Sequence, residues 1–341
     1  MCGAKRRLMA FGIVLLVLAA LALGAYPMLA VVLGAQILLG GVGTIFGPAM
    51  NAITLGLVGP ARLDQRIGRN QSFNSAGNVM AAVSMGLIAY WLSNRAIFFV
   101  VPLFAVPTLI ALRSIAPQEI DYARARGARA DGEPARVSGV SSLLHDRRLL
   151  AFAGCAMLFH FANAAMLPEL GELLARGQGR SSALFMSACV ITTQAVITLT
   201  APWVGRKAAV WGRKPLLLLG FGVLPIRGVL YTLTAVPSLL IAIQVLDGLA
   251  NAIFGVVSIL VIADLTRGTG RFNLTQGALA TAVGIGASLS TTGAGFMFYH
   301  YGTHAGFLSL AAVAVVALVA LALTVPETLK PASAPLEKAM N

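Results

Sequence analysis

Apolar runs of 18 or more residues recur along the whole length of this chain, separated by short polar turns. A helix needs about 20 apolar residues to cross the ~30 Å hydrocarbon core of a bilayer, so each run is long enough to span one. Only 11% of the 341 residues are charged and 58% are hydrophobic. That leaves too few polar side chains to cover a soluble surface. The pattern predicts an all-α membrane protein with about ten transmembrane helices. They lie near 8–25, 28–57, 72–93, 96–113, 149–170, 182–204, 215–233, 237–264, 273–299 and 303–325.

The net charge of +13 raises the question of nucleic acid. The basic residues argue against it, because they sit in short turns and form no stripe with interleaved aromatics. With the N-terminus in the cytoplasm, 21 of the 25 Lys and Arg residues fall on the cytoplasmic side, and the outer turns hold Arg95, Arg176 and Arg180. The positive-inside rule therefore places both ends in the cytoplasm of a multi-pass protein of the cell (inner) membrane. The start resembles a signal peptide, with Lys5-Arg6-Arg7 before an apolar stretch. An internal copy of the same pattern argues against cleavage.

That copy belongs to a duplication. Gln36–Gly47, QILLGGVGTIFG, pairs with Gln244–Gly255, QVLDGLANAIFG, at an offset of 208. The same offset pairs Ala4-Lys5-Arg6 with Gly212-Arg213-Lys214, so one ungapped register covers about 44 residues. It divides the chain into a four-helix bundle over 1–114, a cytoplasmic linker over 115–147, a six-helix bundle over 148–326 and a cytoplasmic tail over 327–341. The linker composition predicts a solvated tether. Two spans precede the basic turn at 205–214, whereas four residues precede Lys5. A symmetric protein would have six plus six spans, so the duplication leads to the expectation that about 65 residues are missing from the front.

Two bundles, a long central loop and a basic turn after the second span of the second bundle resemble the major facilitator superfamily. The turn of that family reads Gly-x3-Asp-x2-Gly-Arg-(Lys/Arg). Gly205-Arg206-Lys207-Ala208-Ala209-Val210-Trp211-Gly212-Arg213-Lys214 is similar to it, with Ala209 at the acidic position. Only the tail of the motif stands at Gly3-Ala4-Lys5-Arg6-Arg7, and Val325-Pro326-Glu327-Thr328 resembles the close of many members. The resemblance implies a permease working by alternating access, with Gly205, Gly212, Arg213 and Lys214 as a gating motif. It also implies that 28–57, 149–170 and 237–264 line the central cavity, and that the first two helices of the family are lacking. Proton-coupled efflux of a small molecule is the expectation it carries. The Arg-x-x-Gln-Gly pattern of drug antiporters is not matched at Gln36–Gly40, which weakens that assignment. The alternative is a non-transporting remnant, or a membrane interaction or sensing protein.

A charge at bilayer depth is expensive and marks function by default. Asp247 is the acidic residue deepest in an apolar run, and Gln244, Asp247 and Asn251 share a helix face at i, i+3 and i+7. Together with His160, Asn163 and Gln36 they are candidate substrate or ion-pathway residues. Each also has a plainer reading as an interhelical hydrogen bond. Arg227 lies at a similar depth on a neighbouring span, which predicts an Arg227–Asp247 ion pair as a structural lock. Glycines 40, 41, 43, 47, 248 and 255 predict close helix approach. The sequence contains no nucleophile–base pair, no phosphate-cradling Gly-Lys-Ser/Thr loop, and no metal or disulfide spacing among Cys2, Cys155 and Cys189. The chain is expected to be no enzyme, with no cofactor. The expected partners are a small-molecule substrate, the lipid bilayer and protons as coupling ion.

Overall fold

A computed structural model describes residues 4–93, 95–128, 145–178 and 182–329. Gly3, the linker residues 129–144 and most of the expected tail lie outside them. The described residues are helical, with no strand. The helices are α1 (Ala4–Ala25), α2 (Leu29–Val58), α3 (Pro60–Trp91), α4 (Ala96–Ser114) and α5 (Arg147–Asn163). They continue with α6 (Met166–Gln178), α7 (Ser182–Trp211), α8 (Arg213–Leu233), α9 (Pro237–Leu265) and α10 (Phe272–Thr324). Among the described residues, eight helical segments are long and apolar enough to cross a membrane.

Several boundaries differ from the sequence reading. Helix α3 begins at Pro60 and not near 72. The polar stretch with Arg62, Asp64, Arg66 and Arg69, outside the apolar runs, forms its first three turns. Gly59, at φ 69°, ends α2, and Pro60 opens α3 at a position where its missing N–H costs nothing. The span expected at 149–170 is two helices, broken at Ala164 and Ala165. A proline ring clashes with the carbonyl four residues earlier, so Pro168 interrupts the helix at Ala164. The Ser290 hydroxyl accepts the freed Ala165 N–H. Helix α10 is 53 residues long, about 80 Å at 1.5 Å per residue and too long for one crossing. It turns at Gly302, φ 82°. Phe298 and Phe307 on either side meet at 4.9 Å, so the two limbs lie against each other.

Between helices in lipid, close packing of small residues replaces the hydrophobic drive of water-soluble folds. Glycines mark the tightest crossings. A Cβ at Gly68 or at Gly205 would strike backbone of the other helix, so α3 and α7 touch main chain to main chain there. A Cβ at Gly248 would lie 2.8 Å from the Thr193 carbonyl, joining α9 to α7. Gly286 crosses α5 at Met157. The glycines of the first repeat copy behave differently. Gly40, Gly41, Gly43 and Gly47 face open space, against the expectation of close approach.

The expected solvated tether is packed at its start. Ile120 and Ala125 are buried against α2, and the Gly127 carbonyl accepts the Gly268 N–H at 2.7 Å. The first residues after α10 are pinned as well, through Glu327.

Candidate functional site

Two polar constructions stand out in an otherwise apolar molecule. The first lies inside the second half of the chain, where α5, α7, α8 and α9 meet. Arg227 of α8 is 1% exposed and pairs with Asp247 of α9, Nη1 to Oδ1, at 2.6 Å. An isolated charge at bilayer depth costs about 2.5–3.5 kcal/mol on insertion scales. Here the two charges compensate each other, and hydrogen bonds satisfy the atoms left over. Arg227 Nε donates to the Tyr231 hydroxyl at 2.9 Å, Nη2 to Gln244 Oε1 at 3.5 Å, and Nη1 also to Asn163 Oδ1. Gln244 Nε2 donates to the same Tyr231 hydroxyl at 2.7 Å. The second Asp247 oxygen accepts from Thr193 at 3.0 Å, and Asn251 donates to the first at 2.9 Å. The glycine at 248 permits the Thr193 contact, because it lets α7 and α9 close.

Of the sequence candidates, Arg227, Asp247, Gln244, Asn251 and Asn163 are thus brought together. Asn163 and Asn251 are half-buried at the edge of the cluster, while Gln244 and Asp247 are buried within it. Two candidates stand outside. His160 bonds its own helix through the Ala156 carbonyl at 3.1 Å and packs edge-on against Phe254. Gln36 is exposed on α2, with no hydrogen bond to another described residue. Tyr231 was missed, because a tyrosine near a span end reads as an interface residue.

The second construction is at the basic end, around the motif residues. Gly212 (φ 96°) separates α7 from α8 and supplies no side-chain cap. The Glu327 carboxylate takes that role, accepting the Arg213 and Lys214 backbone N–H groups at 2.9 Å each. A side chain at residue 212 would collide with it. Burial alone would raise the Glu327 pKa, but the backbone N–H groups of Leu329, Arg213, Lys214 and Thr328 overcome it and hold the carboxyl below its ordinary range. Lys214 Nζ donates to the Ala322 carbonyl at 2.7 Å.

Arg213 is then aimed inward, its side chain 5% exposed. Nη1 and Nη2 grip the two Asp64 oxygens at 3.0 Å each, and Nε bonds Asp264 at 3.0 Å. Asp64 belongs to α3 in the first half and Asp264 to α9 in the second. One guanidinium therefore fastens the halves together, with the bidentate geometry that favours arginine over lysine. Ala209 stands where the motif has an acid, and the acids come instead from two other helices. The sequence reading missed both. Asp64 lies outside the apolar runs, and Asp264 pairs with Gly56 in the repeat, so neither was flagged.

Further bonds join the halves, one between α3 and α7 and one between α2 and α10. Ser72 Oγ donates to the Thr198 carbonyl, and Asn51 to Gln276 at 2.6 Å. Gly68 and Gly205 press the backbones of α3 and α7 together one turn from Ser72.

A seam joining two helical halves beside a buried intramembrane ion pair defines the class: a polytopic transporter-like membrane protein. The Major Facilitator Superfamily model matches residues 2–199 and 152–340, and the chain belongs to that family. It is 42% identical over 327 residues to the Mycobacterium tuberculosis MFS-type transporters MT2531 and Rv2456c, covering 95% of this chain and 78% of theirs. Among solved structures it is similar to FucP in the outward conformation, with TM-score 0.72, 12% identity and coverage of 94% of this chain and 83% of that one. It is also similar to the proton:xylose symporter XylE, with TM-score 0.67 at 17% identity, over 95% and 81% of the two chains. The human organic anion transporter MFSD10 gives 0.67 at 16%, over 93% and 77%. At these identities the solved structures share the fold.

Proposed function

We propose that the chain is a secondary transporter that moves a small molecule by alternating access, with protons as coupling ion. Ten crossings would be grouped four plus six: α1 to α4, then α5 with α6, α7, α8, α9 and the two limbs of α10. The termini would face the cytoplasm, on the side of the basic end.

The separation of the two polar constructions carries this reading. The Arg213 latch ties one half to the other, so it must break when the basic end opens. The Arg227–Asp247 cluster draws every member from the second half, so it survives that motion intact and can hold a bound solute throughout. Asn163 and Asn251 present amide groups at its edge, suited to a hydrogen-bonding solute. A proton reaching Asp247 would neutralise its half of the pair and free Arg227 to bind substrate. Deprotonation would restore the pair and release it. With an anionic substrate on Arg227 the charges are compensated in both states, as a low-dielectric site requires.

The test uses proteoliposomes carrying an internal pH reporter and a panel of sugars, organic anions and amphiphilic cations. At least one compound is expected to drive proton flux in the wild type, and Asp247→Asn to reduce that flux at least tenfold. Substrate-driven flux that persists unchanged in folded Asp247→Asn overturns the proton role. A reconstituted, folded wild type that moves none of the panel counts against transport of these classes.

A further inference from the structure

The outward side of the α3–α7 seam carries a groove that the transport reading does not use. It is a cavity of about 430 Å³ lined by Gln65, Arg69, Ser72 and Phe73 of α3 and by Pro202 and Arg206 of α7. Gly68 and Gly205, next in the chain to two of the lining residues, make the backbone contact that brings the two helices together. Arg69 and Arg206 each follow one of these glycines, so one arginine comes from each half. Both are exposed, and neither has an acidic partner among the described residues. Arg213, on the inward side of the same seam, has two. The inward side of the crossing is charge-balanced and the outward side carries two uncompensated cations.

The remaining sides of the groove are apolar and open. Phe73, Met80 and Leu87 continue the Arg69 face of α3 and are 72%, 66% and 55% exposed. Leu199 and Val210 flank Arg206 on its face of α7, 78% and 76% exposed. Arg69 lies 22 residues before Trp91, the end of α3, which at 1.5 Å per residue is ~33 Å, about one hydrocarbon thickness. The arginines therefore stand at headgroup level, and Phe73, Met80 and Leu199 at acyl-chain level beneath them.

We propose that this groove binds the phosphate headgroup of an anionic phospholipid. The two guanidinium groups would hold the phosphate, the Gln65 amide would bond its oxygens or the glycerol, and the acyl chains would lie along Phe73, Met80 and Leu199. Planar guanidinium forks suit phosphate. Because the arginines belong to different halves, a bound lipid clamps the seam from outside while Arg213 clamps it from inside. The proposal rests on membrane insertion and is independent of any substrate.

The test is native mass spectrometry of the purified full chain released from mild detergent, with phosphatidylglycerol or phosphatidylcholine added. The wild type is expected to retain phosphatidylglycerol at least tenfold more than phosphatidylcholine. R69Q/R206Q should abolish that preference, and R69K/R206K should keep part of it. The charge-matched pair R147Q/R148Q, at the exposed start of α5, should keep it all. Equal loss in R147Q/R148Q would mean diffuse attraction to a basic surface and would overturn the site. So would full competition by inorganic phosphate at equal concentration, which would assign the groove to a free anion. Unchanged retention in R69Q/R206Q overturns it directly. Should the glutamine variant fail to fold, Phe73→Asp supplies the second test, since a carboxylate beside the arginines must cut retention at least tenfold. Retention at the wild-type level there overturns the proposal.

Discussion

Arg227 is among the largest fully buried side chains of the molecule, and its surroundings decide what each nearby substitution does. Removing one partner of a buried pair leaves the other charge unpaired and costs about 3–5 kcal/mol. Asp247→Ala is expected to destabilise by that amount, measured by thermal unfolding in detergent. Arg227→Gln combined with Asp247→Asn should cost less than the sum of the single changes, because neither charge is then left alone. Strict additivity in that double-mutant cycle would mean the two side chains do not interact. Glu327 gives a pH signature. Its folded pKa is held below the unfolded one, so its contribution is present above the ordinary glutamate range and is lost as pH falls through the depressed value. Glu327→Gln should flatten the acid limb of the melting temperature against pH and leave the limb above pH 7 parallel to wild type. An unchanged acid limb would show that the clamp on α8 adds nothing to stability. Asp247 and Arg227 were legible in the sequence because charge in an apolar run is conspicuous. Asp64 and Asp264 were not, because acids near span ends look like solvated turns.

Helix crossings obey the repeat only in part. Gly40 and Gly248 hold the same repeat position, yet Gly248 touches α7 and Gly40 faces open space. Gly248→Val should cost about 1–3 kcal/mol by overpacking and should break the Thr193–Asp247 bond. Gly40→Val should lie within about 0.5 kcal/mol of wild type. Equal effects, read from unfolding of the two variants, would show that repeat position and not the contact sets the cost. The apolar runs located α1, α2, α4, α8 and α9 closely, because apolar length is what lipid demands. It misplaced the start of α3, where arginines and an aspartate continue a helix beyond the apolar stretch. The same reading ran 149–170 as a single span, whereas the Pro168 ring acts on the carbonyl four residues upstream and breaks the helix at Ala164. A propensity argument sees the proline, while the break belongs to the residue it clashes with.

At the scale of the whole molecule, two halves meet along α3 and α7, with backbone against backbone at Gly68 and Gly205 toward the basic end. There Arg213 ties Asp64 to Asp264, and the Gly68–Gly205 crossing leaves the backbones no room to slide. The duplication was readable from QILLGGVGTIFG and QVLDGLANAIFG, and with it the expectation of two bundles. The latch was not, since it joins residues 149 and 51 positions from Arg213 that share no motif with it. The alternating access proposed above requires that this latch be the element whose loss frees the basic end. Double electron–electron resonance between spin labels at Arg66 on α3 and Lys207 on α7, in nanodiscs, reads that seam without knowledge of the substrate. Wild type should give one short distance, and Arg213→Ala a second, longer population of comparable size with the short one diminished. Identical distributions in the two proteins would contradict the claim that the halves are held shut by Arg213.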